Sequence, residues 1–239
     1  NCTVMKNSIG FIGAGRVVRI LLQGFKNKSV KFGRIVVSDT NPDVITKLKQ
    51  QFPEVEQAEA STAASQEIVF IALHPPVIMD TLESLKDHFM QNSMVVSLAP
   101  KINLQKLSAK LEGVKNVARL IPNATSYINE GYNPVTFAPG FNASGKNTLM
   151  SLLGNLGYTF EVPEEKLESY AIMSAMLPTY FWFQWRELGE IGLKTGLTKE
   201  ECEQAVFRSV VAALDLFYKS GLTPAEVIDL IPVKPIGEH

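Results

Sequence analysis

The stretch Ser8-Ile9-Gly10-Phe11-Ile12-Gly13-Ala14-Gly15-Arg16-Val17-Val18 decides the fold. Ser8–Ile12 is a short apolar run of the kind that forms a buried strand, and a helical pattern runs from Arg16 to Lys26. Gly13 permits the tight turn between them. Gly15 lets the backbone approach a pyrophosphate, whose charge then rests on the helix N-terminus. The third fingerprint position is Gly or Ala in most such loops; here it is Val18, a departure. A lone G-x-G is weak evidence. This one follows a strand, opens a helix, and precedes a second strand, Arg34–Ser38, that is followed by an acid. The unit therefore predicts dinucleotide binding through the loop Ile12, Gly13, Ala14, Gly15, Arg16 and Val17.

The segment Ser38-Asp39-Thr40-Asn41 is expected at the adenosine end. A carboxylate at Asp39 accepts hydrogen bonds from ribose hydroxyls and repels a 2′-phosphate. A turn or capping Asp fits the same position. No Arg follows to receive a phosphate, which leans the reading towards NAD over NADP. Ser38, Thr40 and Asn41 still offer hydrogen bonds to a phosphate, so the cofactor is read as NAD(P). Asn41 is placed as the N-cap of a helix over Pro42–Gln51, with Pro42 at its first position.

Working outward, Glu67–Leu73 reads as a strand, followed by a helix from Pro76. Met94–Leu98, Val117–Ile121, Val135–Ala138 and Tyr158–Val162 continue the strand series. Strands alternating with helices predict a doubly wound, mostly parallel α/β sheet of Rossmann type. Past Pro163 no strand pattern remains. Thr198-Lys-Glu-Glu201 and Thr223-Pro-Ala-Glu226 are capping boxes, and Gly196 and Gly221 sit at expected helix stops. The expected organisation is a dinucleotide-binding domain over residues 1–163 and a small all-α domain over 164–239. The helical domain is small for an independent core, so it packs on the first domain, on another copy of itself, or on both. Five aromatics in six residues, Tyr180–Phe183 and Trp185, spread around one helix and imply burial in a core or a subunit interface.

Of the 239 residues, 46% are apolar and 20% charged, with 23 Lys and Arg against 24 Asp and Glu. That balance excludes nucleic acid or an anionic membrane as the main partner. No apolar run approaches the ~20 residues of a membrane span, and no signal peptide is visible. Cys2 and Cys202 read as two unpaired thiols in a reducing cytoplasm. The scattered histidines His74, His88 and His239 form no metal-ligand pattern, so no metal is expected.

Several of these segments together resemble the pyrroline-5-carboxylate reductase family. Gly10-Phe-Ile-Gly-Ala-Gly15 matches its glycine loop. Phe70-Ile-Ala72-Leu73-His74-Pro75 is similar to the family's F-L-A-V-K-P turn, and Val95-Val-Ser-Leu-Ala99 to V-V-S-I-A. Arg119-Leu-Ile-Pro122-Asn123 resembles R-V-M-P-N, followed by Glu130-Gly131. Pro178 and Tyr180 fall on P-A-Y, and Gly192-Leu-Lys-Thr-Gly196-Leu resembles G-V-K-L-G-L. The likeness is specific in the first domain and loose in the second. It implies that Ala72, Leu73, His74, Pro75 and Ala99 border the nicotinamide, that a small molecule is the substrate, and that the helical domain makes an intertwined homodimer or higher homo-oligomer.

Departures gather on the substrate side. The family lysine is His74, and A-G-V becomes Pro100-Lys101-Ile102. S-G-S-G becomes Ser174-Ala-Met-Leu177, and the glycine-rich tail T-S-P-G-G-T-T is replaced by residues 232–239. Two roles fit Ser174: a contact to substrate or nicotinamide, or a buried serine between helices. Asn123 orients substrate or cofactor, or serves as a turn residue after Pro122. These two are the candidate catalytic residues. His74 faces the nicotinamide as a proton donor or is a loop histidine, and Lys101 touches cofactor or substrate or is a solvated surface lysine.

The resulting expectation is an NAD(P)H-dependent oxidoreductase that transfers hydride to a C=N or C=O group, as in proline biosynthesis. A protonated imine needs no strong general acid, so catalysis rests on positioning and electrostatics. Two rivals stand beside it. A β-hydroxyacid dehydrogenase-like oxidoreductase would use a lysine in the first long helix of the helical domain, near Lys194. A non-catalytic dinucleotide-binding protein is suggested by the missing glycine-rich tail.

Overall fold

A computed structural model describes residues 7–231; Cys2, His239 and the 232–239 tail lie outside the described residues. The chain divides into two compact units at Leu177–Pro178.

The first unit holds an eight-stranded sheet in the order β3-β2-β1-β4-β5-β6-β7-β8. β1 (Ser8–Ile12) lies between β2 (Arg34–Ser38) and β4 (Ile68–Ile71), both parallel to it. β5 (Met94–Ser97) and β6 (Asn116–Leu120) continue in parallel. β3 (Glu56–Gln57) is a two-residue edge beside β2. β7 (Gly131–Phe137) runs antiparallel to β6, and β8 (Gly157–Glu161) parallel to β7.

Both faces are covered because the strands are apolar on both sides. Ile9 and Phe11 of β1 point to one face and pack with Val18, Leu21, Leu22 and Phe25 of α1 (Arg16–Asn27). Those four recur at helical spacing, which buries one stripe of α1. α2 (Pro42–Gln51) lies on the same face through Ile45 and Leu48. Ile12, Val36, Val69 and Ile71 point the other way. They meet α3 (Ala60–Ala64), α4 (Pro75–Leu85) and α5 (Leu104–Lys110) through Ala63, Ile78, Leu82 and Leu107. α6 (Ala143–Leu153) returns to the first face. Val18, the departure from the glycine fingerprint, is fully buried between α1 and the sheet.

The doubly wound sheet matches the sequence expectation, with local differences. The fourth strand is shorter than Glu67–Leu73, and α4 begins at Pro75. β7 starts earlier than the expected Val135–Ala138 because Gly131–Pro134 are drawn into the sheet by pairing with β8. The unit also extends past residue 163. α7 (Glu164–Tyr170) and the π-turn Ala171–Met176 remain with the sheet, where Leu167 packs with Ile121 and Val162.

The second unit contains α8 (Leu177–Lys194), α9 (Lys199–Lys219) and α10 (Pro224–Asp229). Both expected capping boxes are present: Thr198 and Thr223 accept the backbone N–H of Glu201 and Glu226 respectively, whose carboxylates accept in return. These bonds hold both carboxyls below the usual carboxylate range. Gly196 and Gly221 take φ values of 101° and 81° at the helix stops. The burial expected for the aromatic helix is not met within one chain: Phe183 is 68% exposed, and Tyr180, Phe181 and Trp182 are exposed too. Two long helices and a short third cannot enclose aromatics spread around all sides of one of them.

Candidate dinucleotide site

The strand order reverses its winding at β1, where β2 lies to one side and β4 to the other. Such a switch point leaves a crevice outside the carboxyl ends of the strands. A cleft of about 740 Å³ opens there. Ala14, Gly15, Arg16 and Val17 line it from the glycine loop, Ala72, Leu73, His74 and Pro75 from the turn after β4, and Ala99 from the turn after β5. Nine residues expected from the sequence are thus brought together.

The loop is fixed by specific contacts. Gly13 has φ 101°, and its N–H donates to the Ser38 carbonyl at 2.7 Å. A Cβ there would lie 2.4 Å from the Ala72 carbonyl oxygen. Gly15 differs: a Cβ built on it meets nothing within 4 Å. Its side-chain position is open space in the cleft. Gly15 is also the N-cap of α1, which has no side-chain cap and no acid in its first turn. The first N–H groups of a helix need partners, and the helix dipole favours an anion there. Arg16 and Arg19 add positive charge, and Lys47 supplies more from α2. The cleft therefore suits a phosphate-bearing ligand with a flat, apolar far end against Ala72, Leu73 and Ala99.

Other expected residues shape the loop instead of lining the cleft. Ile12 is buried in β1. Asp39 Oδ2 accepts the Ala14 N–H at 2.7 Å, and Oδ1 accepts the Asn41 N–H at 2.8 Å. Asn41 caps α2 by accepting from Asp43 N–H at 3.0 Å. Thr40 is exposed between them. The carboxylate has further lone pairs, so bracing the loop leaves capacity for a ribose hydroxyl.

Asn123 and Ser174 meet, although 51 residues separate them. Asn123 follows β6 at the same carboxyl edge of the sheet. Its Nδ2 donates to Ser174 Oγ at 3.3 Å and to the Tyr132 carbonyl at 2.9 Å. Ser174 Oγ donates to the Tyr170 carbonyl at 2.7 Å. Both side chains are buried, and neither lines the cleft just described. Ser174 sits in a π-turn, a feature often found at functional sites.

Sequence reasoning missed Arg19, Lys47 and Gln51 in the cleft wall. The signal was available: Arg16 and Arg19, like Lys47 and Gln51, share a helix face by their spacing. Among the described residues no cluster of His, Cys, Asp or Glu could hold a metal, and no helix is long and apolar enough to cross a membrane.

Comparison with known proteins agrees with this geometry. Residues 8–101 match the family described as NADP oxidoreductase, coenzyme F420-dependent. The chain is 23% identical over 221 residues to the pyrroline-5-carboxylate reductase of Pseudomonas aeruginosa, covering 92% of this chain and 81% of that protein. Its fold is similar to the Plasmodium falciparum pyrroline carboxylate reductase with NADP bound, at a TM-score of 0.77 and 18% identity, covering 98% and 87% of the two chains. The Streptococcus pyogenes 1-pyrroline-5-carboxylate reductase gives a TM-score of 0.78 at 20% identity, covering 97% and 87%. The resemblance read from short motifs extends along nearly the whole chain.

Proposed function

We propose that this chain, a divergent relative of the pyrroline-5-carboxylate reductases, is an NAD(P)H-dependent oxidoreductase that reduces the C=N, or C=O, of a small substrate. The observation that carries the reading is Gly15, which faces open space at an uncapped helix N-terminus flanked by Arg16 and Arg19. The α1 amides would hold the pyrophosphate, Asp39 and its neighbours the adenosine ribose, and the Ala72–Pro75 and Ala99 turns the nicotinamide. Bound there, a reduced nicotinamide supplies hydride. The protein's part is to orient the acceptor and exclude water, with Asn123 and Ser174 as the polar pair on the substrate side. In this reading His74, exposed at the cleft wall, would donate a proton taken up from solvent.

Asp39 favours NAD: a carboxylate beside the ribose disfavours a 2′-phosphate. The cations Arg16, Arg19 and Lys47 pull the other way, so the preference is a balance of charges at one cleft.

A second copy of the chain is the partner we propose for the helical unit, in the cytoplasm. A groove of about 740 Å³ between α8 and α9 is lined by apolar side chains including Trp185, Val206, Phe207 and Leu214. Phe183 and Phe207 are two-thirds exposed. Apolar surface on that scale marks an interface. Sedimentation showing a dimer supports this, and a stable monomer at micromolar concentration refutes it.

The direct test is titration with NADH and NADPH, followed by turnover of 1-pyrroline-5-carboxylate. Saturable binding with turnover supports the assignment. Binding without turnover overturns the narrow pyrroline-5-carboxylate assignment and leaves the cofactor reading intact. No binding overturns the cofactor reading itself.

A further inference from the structure

Arg119, at the carboxyl end of β6, is 2% exposed. Its guanidinium divides between two acids of α7: Nη1 donates to Glu164 Oε1 at 2.8 Å and Nη2 to Glu168 Oε1 at 2.5 Å. The same two oxygens accept backbone N–H groups from the β5–α5 connection. Glu164 Oε1 takes the Leu104 N–H at 2.7 Å, and Glu168 Oε1 takes the Lys101 N–H at 2.8 Å. One buried cation thus holds two carboxylates, and each carboxylate holds one end of a loop.

That loop is strained where Glu168 grips it. Lys101 has φ 68°, in the left-handed region that a side-chain residue enters at a penalty. The two residues before it, Ala99 and Pro100, line the dinucleotide cleft. On the other side, α7 leads into the π-turn that carries Ser174, hydrogen-bonded to Asn123. Asn123 itself lies four residues beyond Arg119. The cluster joins the cofactor-side turn to the substrate-side pair. Charge-assisted bonds around a buried guanidinium resist displacement because breaking one partner leaves charge desolvated.

We propose that Arg119, Glu164 and Glu168 are positioning residues: they hold Lys101 in its left-handed conformation, fix the Ala99–Pro100 turn before it against the cleft, and keep that turn in register with Asn123 and Ser174. The proposal rests on the cofactor reading above. Glu168 acts on the ligand only through the conformation of Lys101.

The test uses the full chain and three variants. In Glu168→Ala, the Lys101 amide should lose its protection from hydrogen exchange, and the dissociation constant for the preferred nicotinamide should rise about tenfold, the size of one charge-assisted hydrogen bond. Glycine adopts φ 68° freely, so Lys101→Gly added to Glu168→Ala should restore most of the affinity. Glu165→Ala, exposed on the same helix, should change neither reading. A general loss of structure would not be rescued by a glycine in the loop. The proposal is overturned if Glu168→Ala binds cofactor normally, or if a folded Glu168→Ala loses affinity that Lys101→Gly does not restore. Wild-type chain that binds neither NADH nor NADPH overturns the cofactor reading and this one together. Normal binding by Glu168→Ala overturns this one alone.

Discussion

The Asp39 carboxylate accepts the backbone N–H of Ala14 across 2.7 Å, tying the end of β2 to the glycine loop. One side chain therefore braces the glycine loop and, in the proposed binding mode, would set the charge at the adenosine end. Asp39→Asn keeps an oxygen for the Ala14 N–H and removes the charge. The Asn amide has one oxygen where Asp39 uses two, so the Asn41 N–H loses its acceptor. Stability should fall by about 1 kcal/mol, while the NADPH to NADH affinity ratio should rise about tenfold, equivalent to ~1.4 kcal/mol. Competitive titration of both nucleotides measures it. An unchanged ratio would show that Asp39 is a structural brace and nothing more.

Gly13 and Gly15 should fail in different ways. Gly13→Ala combines a φ of 101° with a Cβ 2.4 Å from the Ala72 carbonyl, so it should destabilise the fold by roughly 2–4 kcal/mol. Gly15→Ala meets open space and an ordinary φ of −69°, so stability should fall by less than about 1 kcal/mol. Its cost should appear in nucleotide affinity. Denaturant melts beside nucleotide titrations separate the two, and an unaltered affinity in Gly15→Ala would count against pyrophosphate at this loop.

Ser174→Ala removes the acceptor for Asn123 Nδ2, which keeps its bond to the Tyr132 carbonyl. Stability should drop by about 1 kcal/mol, the usual net value of one neutral hydrogen bond. If the pair orients substrate, KM for the imine should rise with nucleotide affinity unchanged. A stability loss with unaltered kinetics would identify Ser174 as a packing serine.

Glu83 offers a pH signature away from the site. Hydrogen bonds from Lys110 and then Lys86 lower its pKa to about 2 from an ordinary 4.5. The depressed value means the folded state favours the ionised carboxylate. The stabilisation is fully present above pH 4.5 and is lost as pH falls towards 2. Glu83→Gln should therefore melt below the wild type at neutral pH, and the gap should shrink through that window. A gap that stays constant down to pH 2 would contradict the assignment of the shift to the α4–α5 tie.

The sequence by itself determined the elements and pointed to the kind of ligand proposed for the cleft. Ile9 and Phe11 against Ile12, or Val18, Leu21, Leu22 and Phe25, repeat with the period of the chain that carries them, so strand and helix are legible locally. Gly13 and Gly15 are legible for the same reason, because their demand is on their own backbone. Tertiary structure alone decided what those elements bring together. Arg119 reaches Glu164 and Glu168 over 45 and 49 residues, and only the packing of α7 beside β6 makes them partners. That packing also keeps α7 with the sheet past residue 163 and holds Lys101 left-handed, while the α8 aromatics stay exposed in the single chain. Periodicity records which side of an element is buried; it carries no record of which distant side chain meets it there.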